Sequence, residues 1–272
     1  MNQGLKSYTK QFTHNVSGVG TLSFNMCGAA KNMHMIIPLI TTVGHSPISL
    51  SLIYNEQDKD VDGQFGKGFR LNLFKKLTQT STGYEVLNAD GSVDQYLASN
   101  NYYNKETALT LIPDESYGYF ELKDKKGNYT SWYNGQVSYP DFYLDSENKG
   151  IRIGRIQDEI VNTNNDSNDI IYIQSSANTI NLSYTNTSVM VLKKTVLTLT
   201  NNRITNIKYY EGASTLIGET EIIYETNAIK LKNVIFGTIT KIDYTTQGTY
   251  KVYKGRMLHP QIQLILDILG CS

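Results

Sequence analysis

Apolar and polar residues alternate along almost the whole of this 272-residue chain, and that two-residue period restricts its fold more than any other feature. Successive side chains of a strand point to opposite faces, so each such segment offers one face to a core and one to water. Ile48 to Tyr54 is the clearest case. Tyr119 to Lys123, Ile151 to Ile153, Ile170 to Ile173, Ile180 to Tyr184 and Val196 to Thr200 repeat it. Twenty tyrosines against eight phenylalanines and one tryptophan supply rings with polar tips, which suit half-buried strands. The pattern predicts an all-β fold, a meander of antiparallel hairpins.

Turn residues punctuate the runs, because Gly, Asn and Asp tolerate the positive φ of tight hairpins. Asp90-Gly91 predicts a two-residue turn between Tyr84–Leu87 and Val93–Leu97, bringing Val86 beside Val93. Lys126-Gly127-Asn128 and Asn201-Asn202 predict two further hairpins. The segment Ile204 to Tyr209 and the segment Ile239 to Tyr244 share the pattern I-T-x-I-x-Y, a faint repeat. A polar tract over 162–169 holds nothing able to anchor in a core, and it suggests a soft boundary. The organisation read here is a β region over 1–161, a second over 170–255 and a tail over 256–272, or one continuous domain. In the tail, Ile262, Ile265, Leu266 and Leu269 follow Pro260 at helical spacing and predict a short C-terminal helix.

Charge excludes some partners. Lys and Arg number 25, as do Asp and Glu, so the chain lacks the basic footprint of nucleic-acid binding. Its longest apolar-rich stretch, near Ile262–Leu269, is far short of a helical membrane span, and its first ten residues lack the apolar centre of a secretory signal. Cys27 and Cys271 form no CxxC pair, so neither a disulfide scaffold nor a structural zinc site is encoded.

Few residues stand at catalytic spacings. Asp58, Asp60, Asp62 and Gly63 copy the first half of an EF-hand loop, but Phe69 occupies the position of the closing Glu. The three aspartates are weak calcium candidates, and the competing reading is a solvated turn. His14, His34, His45 and His259 show no HExxH pairing, and neither a GxSxG elbow nor a GxxxxGK[ST] loop occurs. No catalytic residue or cofactor is expected. Trp132, Tyr133, Tyr139, Phe142 and Tyr143, with Tyr102, Tyr103 and Tyr117, supply rings either for a sugar-stacking platform or for strand packing.

The stretch from Ile48 to Leu97 carries a resemblance. An alternating strand ISLSLIYN, an acidic turn, FGKGFRLNLFKKL (Phe65–Leu77) and GYEVLNADGSVDQYL (Gly83–Leu97) follow in the order found in RHS/YD-repeat proteins. Gly20–Phe24 and Phe120–Tyr133 resemble the family's flanking segments. Phe69 stands where the family usually has Trp, and no regular run of repeats follows. The motif residues are Phe65, Gly66, Gly68, Phe69, Leu71, Leu73, Asp90 and Gly91, in which two glycines turn the chain and the apolar residues pack on the preceding strand. The resemblance implies a shell-opening segment of a bacterial, secreted or wall-associated protein, enclosing toxin or other cargo, with scaffolding rather than catalysis as its role. It also implies an extracellular or cell-surface location and, as partners, other segments of the shell. The alternative is a free-standing module that binds a glycan or protein through Tyr-rich loops.

Overall fold

The computed structural model describes residues 11–16, 20–25, 32–43, 47–133, 140, 142–144, 146–153, 159–162, 169–185, 190–226, 228–244, 250–258 and 261–269. About 65% of the chain is strand and 3% helical, so alternation has decided the fold class. The strands form three antiparallel sheets. The first holds β1 (Gln11–Val16), β2 (Gly20–Asn25), β3 (Asn32–Thr41), β4 (Ser49–Asn55) and β5 (Phe69–Leu71). A second consists of β6 (Lys75–Thr80), β7 (Gly83–Asn88) and β8 (Val93–Leu97).

The third is a sixteen-stranded meander in strict chain order. It begins with β9 (Tyr103–Asn104), β10 (Leu109–Asp114), β11 (Tyr119–Lys123), β12 (Tyr129–Trp132), β13 (Phe142–Leu144), β14 (Gly150–Ile153), β15 (Glu159–Asn162) and β16 (Ile170–Ser175). It continues with β17 (Thr179–Thr185), β18 (Val191–Thr200), β19 (Arg203–Glu211), β20 (Thr215–Glu225), β21 (Ala228–Asn233), β22 (Thr238–Tyr244), β23 (Tyr250–Leu258) and β24 (Gln261–Leu269).

Among the described residues, two apolar cores hold the sheets together. In the larger, Met33, Met35 and Ile37 of β3 and Leu50, Leu52 and Tyr54 of β4 pack with Ile171, Leu182, Leu197, Ile207 and Ile229 of the meander. The smaller joins Leu77, Val86 and Tyr96 of the three-stranded sheet to Leu111, Leu122 and Trp132. The polar tract at 162–169 lies between β15 and β16, which pair with each other, and only its end residues fall among the described ones. The larger core runs across it.

Pro38 sits inside β3, where a proline breaks a ladder unless a bulge receives it. The β3–β4 register shifts between Pro38 and Ile40. The carbonyls around that bulge are taken up by the meander: Tyr209 donates to Pro38 O at 3.0 Å, Thr195 to Leu39 O at 2.6 Å and Lys193 to Thr41 O at 2.9 Å.

Three sequence expectations need correction. The segment expected to be a helix is β24, paired with β23 from Tyr250↔Leu269 to Leu258↔Gln261. Ile262, Leu264, Leu266 and Ile268 also stand at a two-residue period, and a nine-residue neighbour offers backbone partners that no isolated helix matches. The turn at Asp90-Gly91 spans three residues, Ala89 to Gly91, closed by Gly91 N–H to Asn88 O at 3.0 Å and Asn88 N–H to Ser92 O at 2.8 Å. That extra residue pairs Val93 with Leu87 and Val86 with Asp94, leaving Val86 buried and Val93 exposed. The I-T-x-I-x-Y echo is not a structural repeat either. In β19 a bulge at Thr205 turns both Ile204 and Ile207 to the core, whereas β22 runs in unbroken register.

Candidate functional site

The motif residues converge on a corner where the three-stranded sheet meets the first. β4 alternates strictly, so Leu50, Leu52 and Tyr54 enter the apolar core while Asn55 ends the strand on the opposite face, beside His34 of β3. Asn55 opens a three-residue 3-10 turn, Glu56–Asp58, its side chain accepting from Gln57 N–H at 3.1 Å. The chain then bends through Gly63, Gly66 and Gly68 and returns as β5, setting Phe69 against Tyr54 at 5.0 Å between ring centres. Gly68 has a φ of +76°, and a Cβ there would lie 2.8 Å from the Tyr54 ring.

The turn Ala89–Gly91 plugs this corner. Asp90 O meets His34 Nε2 at 2.8 Å, and Asn55 Nδ2 lies 3.0 Å from Asp58 Oδ2 while Asn32 donates to Asn55 Oδ1 at 2.8 Å. Gly91 has a φ of +81°, and a Cβ there would stand 2.2 Å from Asn55 Nδ2, so only glycine brings the turn this close. Asp90 Oδ1 accepts from the Ser92 hydroxyl at 2.6 Å and its N–H at 3.0 Å. Asn32, His34, Asn55, Asp58, Asp90 and Ser92 are all buried. Burial holds the His34 imidazole below its ordinary pKa of 6.5, although the Asp90 carbonyl and the charges of Asp90 and Asp58 pull the other way.

The three aspartates proposed for calcium separate. Asp58 is buried against the Arg70 guanidinium at 2.7 Å, Asp60 pairs with Arg203 at 2.9 Å and Asp62 accepts from Asn202 Nδ2 at 2.5 Å. Among the described residues no three His, Cys, Asp or Glu side chains gather as a metal site would require. The carboxylates instead fix the acidic turn, one toward the core and two toward the hairpin turn Asn201-Asn202. That turn has the two residues expected, at φ +51° and +56°, and its Asn202 O accepts from Lys67 N–H at 2.7 Å.

Beside the corner lies a cleft of about 540 Å³. Phe69, Phe74 and Leu87 give it apolar walls, and Asp58, Arg70 and Lys76 its charge. Arg70 also lies 5.2 Å from the Phe74 ring centre, so its guanidinium is held between a carboxylate and a ring. Leu71 enters the core with Phe65 and Phe69, while Leu73 is only partly buried, because β5 ends at Leu71 and Phe74 N–H bonds back to Leu71 O at 2.9 Å.

The expected aromatic group divides between two faces. Trp132 is buried and donates to Lys75 O at 3.1 Å, and the Tyr143 hydroxyl donates to Leu73 O. Tyr133 stays exposed between Tyr119 and Phe142. Tyr139 lies outside the described residues. Sequence reading missed His34, Asn32, Asn55, Arg70 and Asn202 as parts of the corner, since their contacts across it join residues 12 to 140 positions apart and no local spacing marks them. No protein-family model matches the chain, and no curated protein does.

Proposed function

We propose that this chain is a noncatalytic structural β-module of the kind that opens the β-shell of RHS/YD-repeat proteins. One observation carries the reading: FGKGFRLNL forms a corner, the Asp90-Gly91 turn plugs it, and its acidic turn clasps the hairpin turn at Asn201-Asn202. Buried polar groups that bond to one another fix a unique arrangement, which is what a wall segment needs. The sixteen-stranded meander supplies a wide continuous surface for such a wall. In this role the partners are further shell segments or an enclosed cargo, at the cell surface or outside the cell.

A screen on polysaccharide and peptide substrates tests the scaffold role. The expected outcome is no turnover, and turnover abolished by one carboxylate substitution that leaves the fold intact refutes it. The genomic neighbourhood tests the shell: adjoining YD repeats or a toxin with its immunity partner support it, and an isolated frame beside sugar-metabolism genes counts against it.

A further inference from the structure

One edge of the sixteen-stranded meander carries an arrangement that the fold itself does not use. Among the described residues β24 pairs with β23 alone, over nine residues in unbroken register, and so offers the backbone groups of its outer edge to a further strand. Strand edges are ordinarily blunted by shortness, lysine, proline or a bulge. The opposite end of this sheet is blunted in the first way, since β9 has two residues. β24 has none of these devices: it reads QIQLILDIL, with Asp267 as its one charge.

The sequence of this edge is symmetric about Ile265. From either end, residues 262–268 run Ile, polar, Leu, Ile, Leu, polar, Ile, the polar members being Gln263 and Asp267. Antiparallel strands read one another in opposite directions, so such a segment is complementary to a second copy of itself. Register also sets positions 262, 264, 266 and 268 on one side of the sheet. It is the side of Lys241 and Asp243, not that of Ile242, which enters the larger core. A row of four Ile and Leu positions turned from the core gains by meeting its like.

We propose that β24 joins β24 of a second copy of this chain, antiparallel about a two-fold axis through Ile265, to make one sheet continuous across both chains. In that register Ile262 stands opposite Ile268 of the second copy, Leu264 opposite Leu266, Gln263 opposite Asp267 and Ile265 opposite itself. A slip that puts Leu264 opposite Ile265 sets Ile262 against Asp267 and Gln263 against Leu266, so the pattern specifies its register. Each chain uses its edge once, and the assembly closes at two. The proposal does not rest on the shell reading.

The test is sedimentation equilibrium of the intact chain, with a far-ultraviolet spectrum and a melting curve for every variant. At about 50 μM the chain sediments as a dimer. Ile265→Glu and Ile265→Lys each set like charges against each other on the axis and weaken the dimer about tenfold or more. Mixed in equal amounts, the two variants pair Glu with Lys and recover dimers, which a mere folding defect would not do. Gln263→Asp faces Arg256 within its own chain but Asp267 of the second copy, so it keeps the fold and weakens the dimer without touching an apolar position. Phe236→Ala, removing an exposed ring on the turn between β21 and β22, leaves association unchanged. A monomeric chain, growth beyond dimers, dimers that survive the charge substitutions, an equal loss in Phe236→Ala, or a mixture that stays monomeric overturns the proposal.

Discussion

Gly91 and His34 show how single residues hold the corner. Any side chain at position 91 must accept a positive φ, a strain of about 1 to 3 kcal/mol, and must also displace Asn55 Nδ2 from 2.2 Å. Gly91→Val is therefore expected to lower the melting temperature by about 2 °C or more. An unchanged midpoint in thermal denaturation would sink this account. His34 predicts a pH dependence. Its folded pKa lies below 6.5, so above that pH both states carry it neutral and its buried site costs nothing extra. As pH falls below 6.5 the unfolded chain takes up a proton that the folded one resists, and stability drops by at most about 1.4 kcal/mol per pH unit. Urea titrations at pH 7.5 and 5.0 should show a smaller acid loss in His34→Gln than in the wild type. Equal losses would mean that other groups cause the whole effect. The turn at Lys125–Gly127 shows the same logic at the surface. Slight desolvation would raise the Asp124 carboxyl, but hydrogen bonds from Asn128, Lys126 and Gly127 outweigh it and hold its pKa below the usual value.

Among the elements, β3 depends most on its neighbours. The register shift at Pro38 disrupts the ladder between β3 and β4, and the hydroxyls of Thr195 and Tyr209 with the Lys193 ammonium donate to the β3 carbonyls around it. Burial pushes the Tyr209 phenol well above its ordinary pKa, so it stays protonated and able to donate. Tyr209→Phe deletes one donor and should cost about 1 kcal/mol, with little change in the urea m-value. A stability equal to the wild type would show that Pro38 O finds another partner. Element boundaries were legible where the pattern was strict: β4 and its buried Leu50, Leu52 and Tyr54 follow from alternation alone. β24 was not, because its apolar residues satisfy both periods and only pairing with β23 selects the strand. The bulge at Thr205 was equally hidden, since it arises from register against β18 rather than from any residue of β19.

For the whole molecule, the shared core predicts cooperativity. β3 and β4 bury their apolar faces against strands 100 to 200 residues later, so among the described residues the first sheet shares its core with the meander. Unfolding followed by near-ultraviolet signals of the tyrosines and by far-ultraviolet signals of the strands should give coincident transitions. A lower-melting phase confined to the first sheet would refute this. The sequence by itself determined the fold class, most strands and the positions of the hairpin turns. Those depend on two-residue periodicity and on the few residues that tolerate positive φ, and both are local properties of the chain. Only the tertiary structure decided that Asp58, Asp60 and Asp62 serve three different partners, that Trp132 is buried while Tyr133 is exposed, and that Asp90-Gly91 plugs the corner at His34. The reason is physical: those contacts join residues 12 to 143 positions apart, and their energy depends on how whole sheets stack, which no spacing within one segment encodes.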